Sequence, residues 1–463
     1  MRRRLTRAVA RRACDSDSVS TDDPVPTATS WTAPTAATTP ATAGDATLRA
    51  TVRVPGSKSI TNRACVLAAL SAGTTLVREP LDSRDARLML AALRELGATA
   101  EHTADGLRIS PLTQGDGETH VVLGNAGTVA RFTPALAALG ERTVHFDGDA
   151  AIRRRPLSPL LDALRTLGAD IEDGPGEPGA PPFTVHGHGG LRGGEVDLDS
   201  SASSQFLSAL LLAAPAFDHG VTVRLLGEVP SEPHIAMTLD MLRRFGAAPE
   251  RRGREVHVPP ATLTLADYAV EPDLSTAAPF VAAPLVTGGT VRIVGWPRET
   301  TQPGDWLRSL VAELGGEAVF ERGADGSDVL RVSGDGRLAG RELDLHEVGE
   351  LTPVVAAMLC FADGPSRISG VAHLRGHETD RLAALATELT ALGGAVSETA
   401  DGLVIGPAPL HAGTFHTYDD HRLVMAGAVL GLRVSGVEVE NPATVGKTFP
   451  GFVDAWHAML GAV

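Results

Sequence analysis

Residues 55–63 read PGSKSITNR: a lysine, an arginine and two serines beside a Pro-Gly turn, just before the apolar run ACVLAALSAG. Five further stretches share this character: GNAGTVAR (124–131), SASSQF (201–206), DLSTAAPF (273–280), GELTPVV (349–355) and DDHRLVM (419–425). Each stands where a helix is expected to begin. Helix N-termini carry unpaired N–H groups and partial positive charge, which suits an anion. Ser, Asp and Asn at such places also serve as plain N-caps, and capping alone accounts for DLST. It does not account for Lys58, Arg63, Arg131 and Arg422 in the same first turns, where a cation opposes the helix dipole unless an anion relieves it. Four more stretches, AAIRRRPLSP, VPSEPHIAM, LRGHETDRL and VGKTFPGF, add Arg153, Arg154, Arg155, His234, His377, Arg381 and Lys447. The expectation is one shared cleft that binds small anions.

Other chemistries fit poorly. GKT at 446–448 lacks the glycine that a phosphate-binding loop needs six residues before its lysine, since position 441 is Asn. HETDR at 377–381 has Arg381 where a zinc-protease helix would place its second histidine. There is no Gly-x-Ser-x-Gly elbow. Cys65 and Cys360 lie inside apolar helical runs, where an inert buried thiol is the better reading than a nucleophile.

The elements that position these residues form a repeat. Amphipathic helices such as LMLAALRELGATA and RLAALATELTALGGAV stop at Gly97, Gly168, Gly246, Gly315 and Gly393, and a short strand or hairpin follows each. A second helix, ending in a turn and a β-branched strand, alternates with the first. The tail GFVDAWHAMLGAV reads as a sixth helix with nothing after it. Six α/β units of this length predict two globular domains of three units rather than a solenoid.

Composition bounds the rest. At 463 residues, 43% apolar and 21% charged, the chain has room for two or three domains. A net charge of −15 argues against nucleic acid or an anionic membrane as partner, so any positive charge must be gathered locally. No apolar run is long enough to span a bilayer. Three cysteines without metal spacing point to no zinc site and to a reducing, cytoplasmic setting. Residues 1–45 are Arg-rich, then rich in Ser, Thr, Ala, Pro and Asp without periodicity, and read as a disordered tail in preference to a transit peptide.

PGSKSITNRA, GNAGTVAR, SSQF, HETDRL, DDHR and GKTFPGF, in this order from about Ala50 onward, resemble the hallmark strings of the 5-enolpyruvylshikimate-3-phosphate synthase family. The resemblance implies an α/β fold, a two-domain inside-out barrel of six βαβαββ units, three per domain, with the active site in the interdomain cleft. The chain of such a protein crosses twice between domains, here near Ser57 and Asp273. One domain then comprises residues 46–57 plus 273–463, and the other residues 58–272. The implied reaction joins phosphoenolpyruvate to the 5-hydroxyl of shikimate 3-phosphate and releases phosphate, without metal or organic cofactor. The family is one that glyphosate targets, and a monomer is expected because each domain can bury its own core.

By motif, Lys58 corresponds to a lysine that touches both substrates. Ser59, Arg63, Ser203, Ser204, Gln205, Ser231, Glu350 and His377 correspond to the shikimate 3-phosphate site. Asn125, Gly127, Arg155, Gln205, Arg381, Arg422 and Lys447 correspond to the phosphoenolpyruvate site, with His421 nearby. Glu378 matches the carboxylate that protonates carbon, and Glu350 stands in the place of the one that activates the hydroxyl. The chain departs from the usual pattern at Glu350 (usually Asp), His377 (often Lys), His373 (Asn), His234 (Tyr) and Phe132 (Pro). A charged His377 would make shikimate 3-phosphate binding depend on pH. The alternatives are the related transferase that acts on a UDP-sugar, against which HETDR and GKTFPGF argue, and a non-catalytic anion-binding protein, against which Lys58, Glu350, Glu378 and Arg422 together argue.

Overall fold

In a computed structural model, residues 29–36 and 48–461 are described. The repeat is plain in the sheets. In the unit around residue 145, strand Glu118–Val122 runs parallel to Thr143–Asp147. The latter pairs antiparallel with Phe183–His186, which pairs with Asp170–Asp173. Five four-stranded sheets follow this scheme of one parallel pair extended by a hairpin. The helices between them end as the sequence predicts: Gly97, Gly168, Gly246, Gly315 and Gly393 all have positive φ, between 83° and 109°.

The sixth sheet breaks the scheme. Gly413–Phe415 runs parallel to Val437–Glu440, but the chain then enters the C-terminal helix Phe452–Leu460 and supplies no hairpin. Ser30–Thr32 takes the antiparallel place that a hairpin strand fills in the other five, with Trp31 opposite Val439. The expectation of a structureless segment over residues 1–45 is therefore wrong for 29–36; the remainder of that segment lies outside the described residues. The physical reason is an otherwise open strand edge, together with one aromatic anchor. Trp31 packs edge-on against Phe452 with ring centroids 6.5 Å apart, and its Nε1–H donates to His457 Nε2 at 3.0 Å.

Apolar side chains gather in two clusters. One runs from Ile60 to Val270; the other joins Ala33, Leu48, Val52 and Val54 to residues from Leu274 to Leu460. The chain passes between them twice, side by side. Asp273 N–H donates to Pro55 O at 2.8 Å, and Ser57 N–H to Glu271 O at 2.8 Å. The helices that open on the cleft are buried all round, as Lys58–Ala69 and His421–Gly431 show, so only their N-termini reach it. Among the described residues no helix is long and apolar enough to cross a membrane.

Candidate active site

The polar helix starts converge on one cleft between the two apolar clusters. One wall carries Lys58, Ser59, Gly127, Arg155, Ser203 and Gln205; the other carries Glu350, His377, Glu378, Arg381, Arg422 and Lys447. Contacts cross from wall to wall. Arg155 stands 4.0 Å from Glu378, and His234 Nε2 3.3 Å from Glu350.

Local structure explains each placement. Asp273 accepts from the N–H groups of Ser275 and Thr276 in the turn before helix Ala278–Thr287, and also from Lys58 N–H at 3.2 Å. A single carboxylate thus ties the start of the lysine-bearing helix to the second chain crossing. Helix Gly127–Ala137 begins without a side-chain cap, so its first N–H groups remain available to a ligand. A Cβ at position 127 would lie 2.6 Å from Arg131 Nη1 and 3.4 Å from Arg155 Nη1, so a side chain there would displace guanidinium groups at the cleft. Asp420 is fully buried and caps helix His421–Gly431 by accepting from Arg422 N–H. It also accepts from Arg381 Nε at 2.7 Å, which fixes that guanidinium in the wall.

Electrostatics divides the carboxylates by role. Glu378 accepts from Lys447 Nζ at 2.7 Å and from Arg381 Nη2 at 2.9 Å. Burial by itself would raise its carboxyl, but Lys447, Arg381, His421 and Arg155 outweigh burial and hold it well below the usual carboxylate range. Glu350 is likewise pushed up by desolvation and pulled further down by His234 and Arg422; Ser275 Oγ donates to it at 3.4 Å. Burial lowers Lys58, with Lys447 and Arg422 adding to the effect, while Asp85 at 3.5 Å opposes it.

His377 behaves differently from the charged residue expected. Desolvation and the adjacent Arg381 push it down to about 3, and its Nδ1 faces Arg381 Nη1 at 3.1 Å. It is neutral here and accepts a hydrogen bond from a cation.

Four residues assigned from the sequence stand outside the cleft lining: Arg63, Asn125, Ser204 and Ser231. Arg63 is 1% exposed and bonds Thr238 Oγ1, Ser59 O and Ser208 Oγ, so it braces the wall from behind. Ser231 sits in the left-handed region at φ 57° and opens helix Glu232–Arg244 without capping it. Conversely, the cleft includes Asp85, which sequence reasoning missed. In LDSRDARLM it reads as an ordinary first-turn acid, and only the fold brings it to Lys58.

Cations on both walls, with the two ionised carboxylates Glu350 and Glu378 on one of them, suit the joining of two small anions with proton transfers. Built from two bodies of repeated βαβαββ units, this is the architecture of an enolpyruvyl transferase. Residues 42–456 match the family model for EPSP synthase, 3-phosphoshikimate 1-carboxyvinyltransferase. A curated 3-phosphoshikimate 1-carboxyvinyltransferase of Kocuria rhizophila is 51% identical over 424 residues, covering 89% of this chain and 94% of the relative. The solved EPSP synthase of Acinetobacter baumannii superposes with a TM-score of 0.74 at 26% identity, over 89% of this chain and 96% of that one. The enolpyruvyl transferase NikO of Streptomyces tendae superposes with a TM-score of 0.69 at 17% identity, over 89% and 95%, a likeness of fold. The chain belongs to the EPSP synthase family.

Proposed function

We infer that the chain transfers the enolpyruvyl group of phosphoenolpyruvate to the 5-hydroxyl of shikimate 3-phosphate, forming 5-enolpyruvylshikimate 3-phosphate and phosphate. The observation that carries the assignment of roles is Glu378 held between Lys447, Arg381 and Arg155. Those cations are the partners that phosphoenolpyruvate, with its phosphate and carboxylate, needs. As the substrate engages them, their hold on Glu378 weakens and its pKa rises, which turns an ionised carboxylate into a usable acid. Glu378 then protonates the methylene carbon while Glu350 takes the proton of the attacking hydroxyl. In the second half, Glu378 takes a proton back from the new methyl group as the C–O bond to phosphate breaks, and the hydroxyl proton held by Glu350 leaves with the phosphate, so both carboxylates return to their starting states.

Lys58, Arg155 and Arg422 stabilise charge at the reacting centre, in a cleft where exclusion of water strengthens each contact. Ser59, Ser203 and Gln205 hold shikimate 3-phosphate, with Ser204, Ser231 and Arg63 supporting them, and His377 lies between this substrate and Arg381. Asn125 and Gly127 shape the phosphoenolpyruvate side. We take residues 46–57 plus 273–463 as one domain and 58–272 as the other. Each apolar cluster is enclosed by its own half of the chain, which is in keeping with a monomer, and the free buried thiols of Cys65 and Cys360 are in keeping with a cytoplasmic setting.

The test is phosphate release from phosphoenolpyruvate with shikimate 3-phosphate, compared with UDP-N-acetylglucosamine as acceptor. Turnover only with the first is expected. Turnover with the second, or with neither, overturns the reading.

A further inference from the structure

The strand at residues 30–32 is joined to the cleft through two routes. We propose that residues 29–36 act as a positioning strap for Lys447, setting the phosphoenolpyruvate half of the site. Lys447 ends the short turn Pro442–Lys447, and the strap holds both ends of that turn. At the near end, Asn441 N–H donates to Thr29 O at 2.9 Å, and Asn441 itself is in the left-handed region at φ 41°. At the far end, Trp31 packs on Phe452, and Phe452 on Phe449, two residues beyond Lys447. Phe449 N–H in turn bonds Val445 O inside the turn at 2.9 Å.

The second route runs to the arginines. Asn441 Nδ2 donates to Asp419 Oδ1 at 2.7 Å, and Thr417 Oγ1 to Glu440 O at 3.1 Å. Glu440 is the residue paired with Ser30. These bonds fix the loop whose last residue, Asp420, holds Arg381 and caps the helix of Arg422. Ala33 closes the strap at its other end, so near helix His421–Gly431 that a Cβ on Gly431 would lie 2.4 Å from its own. Ser59, Ser203 and Gln205, which come from the other apolar cluster's part of the chain, have no part in these bonds, and His377 is reached only through Arg381. Misplacement should therefore act on one substrate and not on both.

The chain contains two lysines, Lys58 and Lys447, and both line the cleft. Amine labelling resolved by peptide mass spectrometry thus reads the proposed target and an internal control in one experiment. The variants are Trp31→Ala, Trp31→Phe, Trp31→Leu and Asn441→Gly in the full chain. Gly at 441 keeps the backbone conformation and its bond to Thr29 while removing the link to Asp419. Trp31→Ala should raise the labelling rate of Lys447 several-fold more than that of Lys58, which feels Lys447 only through its charge. KM for phosphoenolpyruvate should rise by about tenfold, as small displacements of positioned groups do, with KM for shikimate 3-phosphate within about twofold. Trp31→Phe, which keeps the ring contact, should restore most of both. Asn441→Gly keeps both strap contacts and reads the Asp419 link alone, through a smaller rise in KM for phosphoenolpyruvate; Trp31→Leu, which loses the edge-on ring contact and the bond to His457, carries the test if Trp31→Ala does not fold. Equal effects on both lysines or both substrates, or no effect, overturns the proposal. The kinetic arm rests on the function inferred above, but the labelling arm does not. An inactive wild type would sink that function and leave the strap to be judged by labelling.

Discussion

Replacing Glu378 by Gln keeps the shape of the side chain and removes one negative charge from among three cations. At 2.7 Å and an effective dielectric constant of about 20, the contact with Lys447 alone has a Coulomb term of roughly 6 kcal/mol before desolvation is subtracted. Leaving a buried partner unpaired costs about 3–5 kcal/mol net. Arg381 keeps Asp420, so Lys447 and Arg155 bear most of this loss. The free variant should therefore melt at a lower temperature than wild type. Phosphoenolpyruvate, an anion that no longer competes with a carboxylate for Lys447, should bind at least as tightly as before and restore more stability than it gives wild type. Turnover should nonetheless fall by about a hundredfold or more, the low end for a lost acid–base group. The assays are thermal melting with and without phosphoenolpyruvate, titration calorimetry, and phosphate release. Near-normal turnover would falsify the acid–base role of Glu378. Weaker phosphoenolpyruvate binding in an intact variant would mean that Glu378 does not compete for the anion's cations.

Three other outcomes follow from the geometry. His377 is pushed down to about 3 from an ordinary value near 6.5, so between those values the unfolded chain binds a proton that the folded chain refuses. Its contribution to stability is complete above about pH 6.5 and falls as pH drops, by at most about 1.4 kcal/mol per unit. Urea denaturation from pH 7 to 5 should show wild type losing stability faster than His377→Gln, and parallel curves would mean that His377 charges freely in the fold. Asp85→Asn removes the carboxylate that opposes the lowering of Lys58. The alkaline limb of kcat/KM for phosphoenolpyruvate should then move to lower pH, and an unmoved limb would separate Asp85 from the lysine's charge. Cys65 and Cys360 are buried, with their thiols pushed up to about 12. Peptide-resolved labelling by a thiol reagent should find both slow in the native protein and fast in denaturant; fast native labelling of either would show that its helix opens.

What could be read in the sequence was what is encoded locally. The stop glycines and the polar first turns are decided within a few residues, so the six units and most of the cleft were legible. What escaped depends on partners far away in the chain. Asp85 looks like a helix-start acid until the fold sets it 3.5 Å from Lys58. His377 looks like a cation until Arg381 Nη1 is found at its Nδ1. Trp31 stands in a polar segment with no periodicity, and only the missing hairpin of the sixth unit, 400 residues on, gives it an edge to pair with. A rule of chemistry connects these cases. Apart from histidines, every basic residue outside the cleft is arginine, whose charge persists when buried or paired. Lysine, whose proton yields to its surroundings, occurs only at the two cleft positions. At Lys58, burial and Asp85 pull in opposite directions; at Lys447, Glu378 is the paired carboxylate. The two lysines thus stand where their partners, Asp85 and Glu378, come from distant parts of the chain, and those partners are the part that a linear sequence does not display.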